Sequence, residues 1–287
     1  MVPLDQLATA GYGLFLTTLA HSVGWPVALG GSQRITDALV AILEEHGGEL
    51  VLDHRINSLD ELPPTRITML DITPRQLLAL GGDRIPARYE KTLRRYRYGP
   101  GVFKIDWALS ELPPWSNPDA ARAGTVHLGG TIDEIAASEA AVAEGRMPER
   151  PFVLFVQPTV ADPSRAPQGK HVGWGYCHVP HGSTIDATAA IEAQVERFAP
   201  GFRDTILGRH TMNAAQMEAY DANYVGGDIN GGAGDLRQAF TRPSVSIHPW
   251  VTPMPGVYLC SSATPPGGGV HGMCGRHAAT AALKRQR

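Results

Sequence analysis

The sequence predicts an α/β fold of mixed α+β character, and three observations carry that prediction. Near the start, GGSQRITDALVAILEEHGGELVLDHRI reads as a helix running into a short strand, followed by a mostly apolar second strand, TRITMLDI (65–72). Near the end, GVYLCSSATPPGGGVHGMCGRHAATAAL reads as a buried strand, a glycine-rich turn and a small-residue helix. Between them lies a mixed insert of roughly 170 residues.

The first helix follows from Ile35, Ala38, Leu39, Ile42 and Leu43, which recur at helical spacing and predict one buried face. Ser32 is placed as its N-cap and Gly47–Gly48 as its stop. ELVL then reads as a short strand. From residue 75, RQLLALGGDRIPARYEKTLRRYRYG reads as two helices broken at Gly81–Gly82. FKIDWAL puts Phe103, Ile105, Trp107 and Leu109 on one face, as in a strand with one wet side. Thr131 and Glu134 form a capping box that opens an alanine-rich helix to about Glu144. FVLFVQ (152–157) and HVGWGYCHV (171–179) are further strands joined by a proline-rich loop, and a helix spans 186–198. YVGGDINGGAGDL (224–236) is too glycine-rich for regular structure.

Composition narrows the function classes. Of 287 residues, 43% are apolar and 18% charged, as in a globular chain able to bury a large core. A net charge of −3 argues against a dedicated nucleic-acid binder. Cys177, Cys260 and Cys274 lie far apart without paired spacing, which suits a reducing compartment rather than a disulfide framework. The early apolar run GYGLFLTTLA is about half the length of a membrane span. Asp5 and the absence of early Lys or Arg speak against a signal peptide, so a cytoplasmic location is expected.

His171, Cys177, His178 and His181 fall within eleven residues, but Cys177 and His178 point to opposite faces of a strand and no carboxylate follows at ligand spacing. No metal site is expected. Seven basic side chains lie between Arg75 and Arg97 against Asp83 and Glu90. A solvated helix face explains them; the sharper alternative is a basic surface for peripheral contact with anionic lipid heads. The final glycine turn suits a cofactor cradle: Gly267–Gly269 remove side chains, and Val270–Gly272 offer backbone N–H groups at a helix N-terminus. The alternative is a turn that only packs its helix.

Six blocks in order carry a more specific signal: GWPVALGGSQRITDAL (24–39), DITPRQLLAL (71–80), RYGPGVFKIDWAL (97–109), AGTVHLGGT (123–131), YVGGDINGG (224–232) and YLCSSATPPGGGVHGMCGRHAA (258–279). The chain resembles the C-terminal portion of phytoene desaturase-like FAD-dependent oxidoreductases, within the wider amine-oxidase superfamily. The resemblance implies an incomplete Rossmann-like FAD/NAD(P)-binding domain with an inserted substrate domain of mixed sheet and helices. Residues 24–74 and 243–287 then belong to the FAD domain and 75–242 to the substrate domain.

By resemblance the cofactor is FAD. Gly30, Gly31 and Ser32 match the family's second glycine turn, and Ser262, Thr264, Gly268, Gly269, Val270, His271 and Gly272 match the segment at the flavin end. The helix N-terminus there is aimed at the pyrimidine edge of the isoalloxazine. Trp25, Trp174, Tyr176, His178, Asp228 and Asn230 are the candidates for a pocket that takes an apolar small-molecule substrate; the alternatives are ordinary strand residues for Tyr176 and His178 and a loop of turn geometry alone for Asp228 and Asn230. Hydride transfer at a carbon–carbon bond is the expected chemistry; a C–N bond is the variant, for which Trp25, Trp174 and Tyr176 supply the aromatic candidates. Hydride chemistry asks little of protein acids and bases, and the sequence nominates no catalytic residue.

One departure matters. No G-x-G-x-x-G turn precedes Gly30, so the chain reads as a fragment, as the product of a late-assigned start, or as one half of a two-chain enzyme, the partner then being a second chain carrying that unit or a homo-oligomer. Without the strand of that unit the remaining parallel sheet is expected to show an exposed inner edge. The reading from a different class is a flavin-free lipid-binding or interaction module.

Overall fold

The structure is a computed structural model that describes Leu4 and residues 9–286. Its elements run in the order α1 (Ala10–Val23), α2 (Gln33–Glu45), β1 (Thr68–Leu70), α3 (Pro74–Gly81), α4 (Ala87–Leu93) and β2 (Gly101–Leu109). Then come β3 (Thr125–Leu128), α5 (Ile132–Ala143), β4 (Val153–Val156), α6 (Pro158–Ala161), β5 (His171–Val179) and α7 (Thr188–Phe198). The chain continues through β6 (Ile206–Met212), α8 (Ala214–Tyr220), α9 (Leu236–Thr241), β7 (Val257–Leu259) and α10 (Met273–Arg285).

The strands form two sheets. An antiparallel sheet has the order β3-β4-β5-β2-β6, and a parallel pair joins β1 to β7 in the register Thr68↔Val257, Met69↔Tyr258, Leu70↔Leu259. A parallel pair between the two ends of the chain and an antiparallel sheet in the insert together give the mixed α/β class predicted from the sequence.

Alternation in β2 produces the larger core. Phe103, Ile105, Trp107 and Leu109 are almost fully buried on one face, each contributing about 1.5–3 kcal/mol of apolar burial. Trp107 stacks on Phe155 at a centroid distance of 5.2 Å, and Phe202 meets both rings edge-on. Across the ladder stand Gly173 and Gly175, opposite Trp107 and Ile105. A Cβ at Gly173 would come within 2.9 Å of the Phe155 ring, so the missing side chains make room for the large rings. A second core of Leu77, Ile85, Leu93, Met254, Val257 and Leu259 packs α3 and α4 on the parallel pair.

Local chemistry sets the boundaries. Pro74 opens α3, and Gly82, at φ 45°, breaks it from α4. Thr131 and Glu134 make both bonds of the expected capping box at α5. An unforeseen second box, Asn213 with Gln216, starts α8.

Three expectations near the start need correction. Ser32 stands at the N-cap position of α2 as placed, but its backbone is already helical and its side chain makes no cap bond, so it does not cap the helix. The α2 face of Ile35, Leu39, Ile42 and Leu43 is not buried; Leu39 is 63% and Ile42 52% exposed, because no element covers that face among the described residues. ELVL is not a strand: residues 50–52 are irregular and exposed, since pairing needs a neighbour and none lies beside them among the described residues. The stop at Gly47–Gly48 holds, with both N–H groups returning to carbonyls of the last turn.

Candidate functional site

Two glycine-rich loops far apart in sequence meet at the carboxyl end of β7. One is 224–232, and the other is 260–272, between β7 and α10. A Cβ at Gly231 would lie 2.2 Å from Ser262 Oγ, and one at Gly268 would lie 3.3 Å from the Asn230 carbonyl oxygen. The sequence singled out both loops without indicating that they form one seam.

Asp228 holds the first loop together. It is 1% exposed; Oδ2 accepts from the N–H of Gly99 (2.8 Å) and Gly232 (2.9 Å), and Oδ1 accepts from Asn230 (2.8 Å). All its bonds thus go to the chain's own backbone. Tyr96 closes the other side, its hydroxyl donating to the Gly231 carbonyl at 2.7 Å. Burial pushes the Tyr96 hydroxyl far above the ordinary tyrosine range, so it remains a donor.

Arg242 ties the seam from beneath and was not foreseen. Its Nη1 donates to the Ser262 carbonyl (3.0 Å) and Nη2 to that of Ala233 (3.2 Å). The guanidinium is buried, and Nε has no partner among the described residues. Nη1 sits where a Cβ at Gly267 would come within 2.6 Å, which explains glycine there as does its φ of 108°. The signal in the sequence was only a lone arginine before proline.

The second loop is anchored at its root and open at its tip. Ser261 Oγ donates to the Ile72 carbonyl at 2.7 Å, and the buried Thr264 hydroxyl returns to Ser261 O at 2.8 Å. Cys274 Sγ donates to the Thr264 and Gly267 carbonyls. Beyond this root, 268–272 are exposed, Val270 to 91%. The N–H groups of Gly268, Gly269, Val270 and Gly272 find no acceptor among the described residues. His271 Nδ1 accepts from the Met273 N–H at 3.0 Å, covering the start of α10. Free N–H groups ahead of a 13-residue helix, at the end of a parallel strand, form a surface for acceptor atoms or anions.

The other candidates fall elsewhere. Gly30 and Gly31 form a turn gripped by the insert, with Gly30 N–H on Asp162 Oδ2 at 2.7 Å and Arg165 Nη1 on Gly30 O at 2.7 Å. Trp174, Tyr176 and His178 share the β5 face opposite the large core. Lys104 Nζ lies 5.8 Å from the Trp174 ring, and Tyr176 meets His178 edge-on. His178 is buried with its Nδ1 3.1 Å from Glu139 Oε1 on α5. Trp25 is exposed in the link between α1 and α2. Four of the basic residues from 75 to 97 are paired: Arg75 with Glu218, Arg84 with Asp60, Arg94 with Glu90 and Arg97 with Asp235. Among the described residues, no helix is long and apolar enough to cross a membrane, and no cluster of three metal-ligating groups forms.

Comparison with known proteins agrees with this architecture. No protein-family model matches the chain. It is 26% identical to the pyridine nucleotide-disulfide oxidoreductase domain-containing protein 2 of Rattus norvegicus, over 89% of the chain and 50% of that protein. It is 24% identical to the phytoene desaturase (lycopene-forming) of a Paracoccus species, over 96% of the chain and 58% of that protein. The chain therefore spans about half the length of these curated relatives. Among solved structures, an oxidoreductase from Methanosarcina mazei shares the fold, with a TM-score of 0.54 at 17% identity over 90% of the chain and 55% of the other. The resemblance to phytoene desaturase-like oxidoreductases read from the sequence holds.

Proposed function

We propose that the chain is the substrate-domain and flavin-side portion of an FAD-dependent oxidoreductase of the phytoene desaturase-like group. The supporting observation is the exposed N–H run of Gly268, Gly269, Val270 and Gly272 ahead of α10, backed by the loop that Asp228 fixes. A planar ring with an acceptor edge fits that surface: the glycines let it approach the backbone, and the helix dipole favours negative charge on it. Gly268, Gly269, Val270, His271 and Gly272 would hold this edge, with Ser262 and Thr264 shaping the loop root. Bound FAD would supply the hydride acceptor, flavin N5, for a carbon–carbon or C–N bond of an apolar substrate.

The chain's own part is to orient and to exclude water. Trp174 and Tyr176 would offer apolar and aromatic surface to such a substrate, with His178 behind them held by Glu139. Asp228 and Asn230 act through the loop they shape. Dehydrogenation of such a bond removes a hydride, which carries both electrons to the flavin, and a proton from the adjacent atom; no residue of the described chain is assigned as the base for that proton.

The reading extends to a partner. The apolar face of α2 and the outer edge of β1, both uncovered among the described residues, support a polypeptide that adds a strand and covers the helix, either a unit with a G-x-G-x-x-G turn or a second copy of the chain. The same face is what favours the second reading, a flavin-free interaction module. Cytoplasmic placement with peripheral membrane contact belongs to the proposal as well, the contact resting on Arg88, Lys91 and Arg95, which have no carboxylate partner among the described residues.

Absorption spectra of the purified chain with and without added FAD test the reading. A bound-flavin spectrum with quenched fluorescence is expected. A protein that leaves FAD unchanged at saturating concentration would overturn the flavin assignment for this chain and leave the interaction module standing.

A further inference from the structure

We propose that His271 is a hydrogen-bond donor of fixed tautomer, presenting Nε2–H to the acceptor edge of the cofactor's pyrimidine ring. This rests on the flavin reading above and adds to it a residue, an atom and a direction. The backbone N–H of Met273 donates to His271 Nδ1 at 3.0 Å, so Nδ1 must offer a lone pair. In the neutral imidazole the single ring proton then sits on Nε2. The choice of tautomer is thereby made by the first residue of α10.

The ring is also held in place. It lies on the backbone of Gly269, where a Cβ would come within 3.0 Å of Cδ2 and 3.3 Å of Nε2; Gly269 has a φ of 140°, which other residues rarely adopt. Nε2 has no protein partner among the described residues, and the side chain is exposed beside Gly269. In the same exposed loop the N–H groups of Gly268, Gly269, Val270 and Gly272 also lack an acceptor among the described residues. The imidazole donor thus adds to a loop that already carries unpaired backbone donors. An acceptor edge on which negative charge accumulates would gain from each of them.

Two isosteric variants separate this role from helix capping. In His271→Asn, Oδ1 takes the place of Nδ1 and keeps the acceptor for Met273 N–H, but the outward Nε2 donor is gone. In His271→Gln, the amide nitrogen reaches the place of Nε2 while the acceptor at the helix start is lost. The experiment measures the Tm of each cofactor-free protein, FAD affinity by fluorescence titration, and the C2=O stretching band of bound oxidised FAD.

His271→Asn should melt near the parent, bind FAD about 3- to 10-fold more weakly and raise the C2=O frequency, in line with the loss of one hydrogen bond. His271→Gln should melt lower but keep affinity and band position closer to the parent. If the parent binds FAD and His271→Asn matches it in affinity and band, the donor role is overturned while the flavin reading survives. If both variants lose affinity only in proportion to lost Tm, His271 is a cap alone and the proposal fails. If the parent itself takes up no FAD, the flavin reading falls and takes this proposal with it.

Discussion

The backbone N–H of Gly30 donates to Oδ2 of Asp162 across 2.7 Å, joining the turn ahead of α2 to the loop after α6. Arg165 completes the grip, because its Nη1 donates to the Gly30 carbonyl and its guanidinium fills the space a Cβ at Gly31 would need. Both glycines have positive φ, 81° and 100°, so a turn that tight requires them. The N-terminus of α2 is therefore positioned by the insert rather than by a local cap.

Removing the Asp162 carboxylate should release that turn. In Asp162→Ala, hydrogen exchange at 29–36 is expected to accelerate while the antiparallel sheet stays protected, since the two regions share few other bonds. Acid should do the same. The Ser164 hydroxyl, then the Gly30 N–H, hold the Asp162 carboxyl below its ordinary value of 3.8. A depressed folded-state pKa contributes stability that is present above the ordinary value and lost as pH falls through the folded one. Exchange at 29–36 should thus be insensitive to pH near neutrality, once the intrinsic rate is allowed for, and rise only below the ordinary aspartate range. Equal acceleration at pH 6 would show that the latch does not depend on this carboxylate.

Asp228→Ala should cost on the order of 3 kcal/mol or more, because it strands the buried N–H groups of Gly99 and Gly232 and releases that of the exposed Asn230. Urea unfolding measures this directly. The glycine loop should also lose its seam with 260–272, so FAD affinity should fall along with stability. A change under 1 kcal/mol would mean that water replaces the carboxylate and that the loop is not organised by it.

The three glycines at 267–269 should not be equivalent. Gly267→Ala meets both a φ of 108° and the Arg242 guanidinium, and a strained backbone of that kind costs about 1–3 kcal/mol before the clash. Gly268 lacks a positive φ, and its Cβ would meet only the Asn230 carbonyl, at 3.3 Å. Gly268→Ala is thus expected to fold with a Tm close to the parent, whereas Gly267→Ala should melt well below it. Indistinguishable melting curves would remove Arg242 as the reason for glycine at 267.

The contrast between β2 and α2 explains what the sequence could convey. Phe103, Ile105, Trp107 and Leu109 alternate because their partners are in the same chain, so period and burial agree. Ile35, Leu39, Ile42 and Leu43 are just as periodic but remain exposed: periodicity reports a face suited to burial, not the presence of something to bury it. β6, ILGRHTM, escaped notice because four of its seven residues are exposed and its pairing comes from β2, 100 residues away, rather than from its own apolar pattern. The seam of the two glycine loops was likewise illegible. It is built by backbone carbonyls, Arg242 and Asp228, and nothing in the spacing of Gly231 and Gly268 encodes that each meets the other loop.

The uncovered α2 face gives the last prediction. Within a single packed domain, Leu39→Glu would cost several kcal/mol, as charge buried in a core does. Here Leu39 is 63% exposed, so the folding free energy of the isolated chain should change by no more than about 0.5 kcal/mol. Association should change instead. Light scattering of the parent across a range of concentrations, with and without a separately expressed strand–glycine turn–helix unit, should show a complex that Leu39→Glu abolishes. An exposed row of Leu39, Ile42 and Leu43 costs solubility and contributes nothing to the chain alone, and only a partner that covers it turns that area into stabilisation. A parent that stays monomeric under both conditions, or a Leu39→Glu variant that unfolds, would mean the face has no external partner, and α2 would then have to pack within the chain in solution.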